Sequence, residues 1–127
     1  MAKKILVVDD EPDTVTFLTT LLGDNGYETF SAGDGDEAKG VLEREKPDLV
    51  TLDIVMPNKS GVRLFREMKQ SPDLKDIPVL FVSGLGDFKN FMQKIKPLPD
   101  PTSFVEKPLD EKVVLEAVQK ALSPAGA

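Results

Sequence analysis

At 127 residues with 40% hydrophobic side chains, the chain has the length of one globular domain built on a single core. It contains neither Cys nor His, which excludes disulfides, thiolate or imidazole zinc sites and serine-triad hydrolysis. A net charge of -6 disfavours nonspecific binding to DNA or anionic membranes and leaves Asp and Glu as the main chemical resource. No window approaches the ~20 apolar residues of a membrane span, and Met1-Ala2-Lys3-Lys4 leads into a strand without a signal-peptide pattern. The expectation is a cytoplasmic protein with no membrane insertion and no direct contact with nucleic acid.

The chain alternates strand and helix. Lys4 to Val8 is a buried-strand run that ends in three acids, Asp9, Asp10 and Glu11, and Pro12 follows where a first-turn proline opens a helix. Val15, Leu18, Leu21 and Leu22 stripe that helix, and Gly23-Asp24-Asn25-Gly26 stops it. Tyr27 to Ser31 alternates like a more exposed second strand. Asp34 with Glu37 is a capping-box-like start for a second helix, whose inner face is Ala38, Val41 and Leu42 and which Lys46-Pro47 ends.

Asp48 to Pro57 is the anomalous stretch. Leu49, Val50, Leu52, Ile54 and Val55 form a near-continuous apolar run, as expected of a strand covered on both faces, yet Asp53 lies in its middle. A carboxylate there belongs where the strand leaves the sheet, close to water or a cation. Met56-Pro57 then turns the chain, and Ser60 caps a third helix through Gln70 with Leu64, Phe65 and Met68 inward. Ile77 to Val82 is a fourth strand ending at Ser83-Gly84. Phe88, Phe91, Met92 and Ile95 predict a short amphipathic fourth helix over Asp87 to Lys96, followed by a stiff connector with Pro97, Pro99 and Pro101. Thr102 to Glu106 is a fifth strand, and after Lys107-Pro108 the residues Leu109 and Asp110 act as staple and cap for a last helix burying Val114, Leu115, Val118 and Leu122. The expected organisation is one domain over residues 1–123, a frayed tail over 124–127 and no output domain.

Such alternation implies an α/β fold with a doubly wound parallel sheet, in which the ligand site lies beyond the carboxyl ends of the strands. Asp9 and Asp10, Asp53, Ser83 and Lys107 end the first, third, fourth and fifth strands, so they meet in one cleft if the spatial order is 2-1-3-4-5. Clustered carboxylates are the oxygen ligands a hard divalent ion such as Mg2+ prefers. A metal, an ammonium and a hydroxyl beside Asp53 are what a phosphoryl group needs in transfer, with Asp53 as nucleophile.

On these residues the chain resembles the receiver domains of two-component response regulators over nearly its whole length. Asp9-Asp10, Asp53 with Met56-Pro57 and Gly61, Ser83 and Lys107-Pro108 match the family's motifs in order, and the chain is similar to the stand-alone, chemotaxis-regulator-like receivers. The resemblance implies a flavodoxin-like receiver fold. It implies that Asp53 accepts a phosphoryl group from the phosphohistidine of a sensor histidine kinase or phosphotransfer protein. It further implies that Asp10, Asp53 and the Val55 backbone carbonyl coordinate Mg2+, that Asp9 acts mainly through water, and that Ser83 and Lys107 bind the phosphoryl oxygens. Phe104 takes the switch-aromatic position, and a cis bond is expected at Lys107-Pro108. Phosphorylation then shifts the region of the fourth helix and fifth strand and alters binding of a downstream target, with the protein a monomer or a phosphorylation-dependent dimer.

Three departures bear on output. Phe104 replaces the frequent Tyr, Val55 cannot orient an attacking water, and the prolines 97–101 reshape the approach to the fifth strand. Two other classes remain open. A phosphatase or phosphotransferase would need a further general acid and a closing cap, and a binding module would keep the fold without the chemistry. The expectation is a phosphoryl acceptor that catalyses its own modification and hydrolysis and is not a turnover enzyme.

Overall fold

The computed structural model describes residues 2–53, 61–83 and 103–122. Its elements are β1 (Lys4–Val8), α1 (Pro12–Asp24), β2 (Glu28–Ala32), α2 (Gly35–Glu45), β3 (Leu49–Leu52), α3 (Gly61–Gln70), β4 (Val79–Ser83), β5 (Ser103–Glu106) and the C-terminal helix α4 (Glu111–Leu122). The expected helix over Asp87 to Lys96, the proline connector, the Ser60 cap and the tail lie outside the described residues. The five strands form one parallel sheet in the order β2-β1-β3-β4-β5, as the convergence of strand ends requires. No helix among the described residues is long and apolar enough to cross a membrane.

Strand side chains alternate between two cores, and that alternation makes the sheet double-faced. Leu6, Val8, Val50, Leu52, Val79 and Phe81 pack against α2 through Ala38, Val41 and Leu42, and against α3 through Leu64, Phe65 and Met68. Phe65 meets Phe81 edge-on, with ring centroids 5.2 Å apart. On the opposite face Ile5, Val7, Leu49, Leu80, Val82 and Val105 pack against Leu18, Leu21 and Leu22 of α1 and Val114 and Val118 of α4. Leu115 and Leu122, expected inside, are half-buried. α4 buries only the i, i+4 pair Val114 and Val118, which leaves Leu115 on the shoulder of that stripe and Leu122 at the last residue of the helix.

Local chemistry sets the element ends. Asp34 Oδ1 accepts from the Glu37 amide at 2.9 Å and caps α2, while Lys46 closes it in the left-handed region at φ 46. Asp110 Oδ1 caps α4, accepting from the Lys112 and Val113 amides at 2.9 and 3.1 Å. β2 begins one residue later than its pattern suggests because the Tyr27 amide donates to Leu22 O. β4 begins at Val79 because the Ile77 amide donates to Leu74 O and Pro78 has no N–H to give. β3 ends at Leu52, so Asp53 lies just beyond it, where the strand leaves the sheet, as its charge requires.

The buried Thr51 is the exception to this apolar interior, since its Oγ1 has no hydrogen-bond partner among the described residues. Thr51→Val keeps the shape and removes the unsatisfied hydroxyl. It is expected to raise stability in chemical denaturation by about 1 kcal/mol; a loss would show that the hydroxyl has a partner.

Candidate functional site

Strand register brings the acids together. β1 and β3 are hydrogen-bonded neighbours with Val8 opposite Leu52, so the next residues, Asp9 and Asp53, leave the same edge side by side. The Asp53 amide donates to Val8 O at 3.0 Å and the Asp9 amide to Ala32 O at 3.1 Å, which ties both residues to the end of the ladder. On the far side, Ser83 of β4 is paired with Glu106 of β5, and Lys107 is the residue after.

Lys107 reaches back across this edge. Its Nζ lies 2.6 Å from Glu11 Oε1, 3.0 Å from Asp9 Oδ2 and 3.8 Å from Asp53 Oδ2, with its side chain 17% exposed. The contact with Glu11 is a hydrogen bond. The contact with Asp9 is an ion pair by distance but is not aligned as a hydrogen bond, so Asp9 Oδ2 is a buried oxygen that accepts none from a described residue. Asp9 Oδ1 accepts from the Glu11 amide at 2.9 Å. Burial acts to lower the Lys107 pKa, but the hydrogen bond to Glu11 and the Asp9 and Asp53 charges outweigh it, so the ammonium is held above its ordinary value of 10.5.

Asp9, Asp10 and Asp53 each present a carboxylate oxygen, and these oxygens lie within 4.8 Å of one another, Asp9 and Asp53 buried and Asp10 exposed. This cluster fits a hard divalent ion such as Mg2+. It is all oxygen and it is open to water at Asp10.

Of the residues expected at the site, the structure brings together Asp9, Asp10, Asp53 and Lys107. Ser83 stands at the C-terminal end of β4 and Phe104 lies in β5 opposite Phe81, but their side chains, like Val55 altogether, lie outside what is described. Glu11 is the partner that sequence reasoning missed. The signal was present, since Glu11 is the third acid of the β1 end, but nothing in the sequence shows that its side chain turns toward residue 107. The Lys107-Pro108 bond is cis, as the resemblance implies.

Comparison with known proteins agrees with this geometry. Residues 5–119 match the family described as "Response regulator receiver domain". Sporulation initiation phosphotransferase F of Bacillus subtilis is 34% identical over 122 residues, which cover 96% of this chain and 95% of that protein. The probable transcriptional regulator ycf27 of Cyanophora paradoxa is 35% identical over 94% of this chain, but the chain spans only about half of that protein, 48%. Among solved structures, the signal receiver domain of a signal transduction histidine kinase from Syntrophus aciditrophicus superposes with a TM-score of 0.86 at 33% identity, covering 98% of this chain and 93% of the other.

Two outcomes follow from the charges. Without metal, Asp53→Asn is expected to be more stable than wild type by about 1 kcal/mol, because it relieves carboxylate crowding, and to gain less from added Mg2+; denaturation with and without the ion measures both. Because the Lys107 pKa is raised on folding, its stabilisation is complete below about 10.5 and disappears as pH rises through the higher folded value. The stability advantage of wild type over Lys107→Met is therefore expected to be flat from pH 8 to 10 and to shrink above that. A constant difference to pH 12 would contradict the raised pKa.

Proposed function

Because the chain belongs to the response regulator receiver family, we propose that it is a phospho-accepting signalling domain in which Asp53 is the acceptor. The single observation that carries this is the convergence on the buried Asp53 carboxylate, at the end of β3, of two further acids from the end of β1 and the Lys107 ammonium from the end of β5. The Lys107 ammonium lies 3.8 Å from an Asp53 oxygen, and a carboxylate is the nucleophile an acyl phosphate requires.

Receiver domains act between histidine kinases and downstream effectors. In the proposed reaction an Asp53 oxygen attacks the phosphorus of a partner's phosphohistidine. The P–O bond forms as the P–N bond breaks, and the imidazole leaves with the electron pair. Mg2+ held by Asp10, Asp53 and the Val55 carbonyl, with Asp9 acting mainly through water, would neutralise charge on the phosphoryl oxygens. The geometry supports that division, since both Asp9 oxygens already face protein donors, the Glu11 amide and the Lys107 ammonium, while Asp10 faces solvent. Lys107 and the Ser83 hydroxyl bind the transferred group, each adding a charge-assisted bond.

The output is a population shift. The aspartyl phosphate draws Ser83 and Lys107 toward it, opens room for Phe104 to turn inward, and moves the region of the helix expected over Asp87 to Lys96 and of the fifth strand to change binding of a downstream protein. Complete reversal from 1:99 to 99:1 would demand about 5.5 kcal/mol, more than a few such bonds supply, so a partial shift is the design. The protein modifies itself and releases its phosphate without turning over a substrate pool.

Intact mass after incubation with Mg2+ and acetyl phosphate is the test. One added phosphoryl group is expected on wild type and none on Asp53→Asn; turnover of phosphoesters would indicate an enzyme, and an unchanged mass a binding module. With Val55 unable to orient water, the phosphate is expected to persist at least as long as in Val55→Asn, and faster release from wild type would refute that role.

A further inference from the structure

The site holds one acid that the phosphoryl chemistry does not use. Glu11 is the N-cap residue of α1, in extended backbone at φ -93 and ψ 115, yet its side chain makes no capping hydrogen bond. Asp, Asn, Ser and Thr serve that position because their short side chains fold back onto the N2 or N3 amides. Glu11 instead extends away from its helix. Its Oε1 accepts from Lys107 Nζ at 2.6 Å, the shortest of the three carboxylate contacts that ammonium makes. Its own amide is bound to Asp9 Oδ1, so the stem of the side chain is anchored at the site while its carboxylate belongs to a side chain that is 60% exposed.

We propose that Glu11 is a latch on Lys107, holding its ammonium toward the β1 end until a phosphoryl group on Asp53 outcompetes the carboxylate. This rests on the reading of Asp53 as phospho-acceptor and adds a regulator to it. In the unmodified protein Lys107 is 2.6 Å from Glu11 and 3.8 Å from Asp53. Once an Asp53 oxygen has bonded to phosphorus and the donor has left with its electron pair, the phosphoryl oxygens carry more negative charge than a carboxylate and offer more acceptors. The ammonium then exchanges one charge-assisted bond for another, and the cost of breaking the first sets how readily the domain is switched. Glu11 is thus a positioning residue acting through Lys107.

Three variants separate reach from charge. Glu11→Gln keeps the length and removes the charge. Glu11→Asp keeps the charge but is shorter by one methylene, about 1.5 Å, and is drawn back to cap its own helix. Asp13→Asn removes a charge from the same first turn, where the side chain is exposed and makes no ion pair with Lys107. Two readouts are taken on each protein. One is the rate at which a small amine-reactive reagent modifies Lys107, read by peptide mass. The other is the rate of phosphorylation by acetyl phosphate with Mg2+, in which the Asp53–phosphorus bond forms as acetate leaves.

Both Glu11 variants are expected to raise both rates about threefold, the scale of a partly exposed ion pair, with Asp13→Asn unchanged. If Glu11→Asp behaves as wild type while Glu11→Gln is faster, charge alone is responsible and the latch is refuted. Unchanged rates in both Glu11 variants refute it as well. If Lys107 labelling rises in both but no protein, wild type included, gains phosphoryl mass, the acceptor role of Asp53 is what has failed, and the latch loses the competitor that defines it.

Discussion

The end of the sheet is organised around a single ammonium among three carboxylates. Buried charges are costly unless paired, and here Asp9 and Asp53 emerge next to each other from adjacent strands at a point where water is largely excluded. Lys107 is the cation that makes this tolerable, and it comes from the far strand of the sheet. The pairing is incomplete in a way that suits function. An oxygen of Asp9 has an ion-pair partner but accepts no hydrogen bond from a described residue, and the cluster with Asp10 retains net negative charge, a set of oxygens suited to a further cation.

That arrangement depends on a core that has nothing to do with charge. Two apolar layers hold the sheet, with α2 and α3 on one side and α1 and α4 on the other, and they fix β1 between β2 and β3 and β5 at the edge. Parallel pairing with Val8 opposite Leu52 then sets the separation of the two carboxylates more tightly than any side-chain rotamer could. The reactive groups follow directly after strands, so their backbones inherit the rigidity of the ladder, which is what preorganised chemistry needs.

The helix that follows β1 contributes through what its first residue does not do. An N-cap position is commonly given to a side chain that satisfies its own helix. At Glu11 the longer side chain leaves that work undone and joins the ionic cluster, coupling the start of α1 to the end of β5. In the proposed reading the same lysine holds the resting site together and binds the phosphoryl group carried by Asp53, and competition for one cation is a simple physical basis for a switch.

Much of this was legible in the chain. Apolar periodicity located the described strands and helices to within two residues, Asp34 and Asp110 marked helix starts through their capping chemistry, and Asp53 stood out because a carboxylate in a buried run needs a special reason. The rule that ligands lie beyond the carboxyl ends of parallel strands was enough to infer the order 2-1-3-4-5 and to bring residues 9 and 107 to one cleft. Where pattern misled, the backbone had other commitments, as with the Tyr27 and Ile77 amides bonded into the preceding turns. By itself, then, the sequence determined the elements, their faces and the inventory of charged groups at the strand ends, because those follow from local periodicity and composition. Only the tertiary structure decided which carboxylate takes the lysine: that choice depends on distances of a few ångströms between groups far apart in the chain, and no pattern along one dimension encodes the direction in which the side chain of Glu11 points.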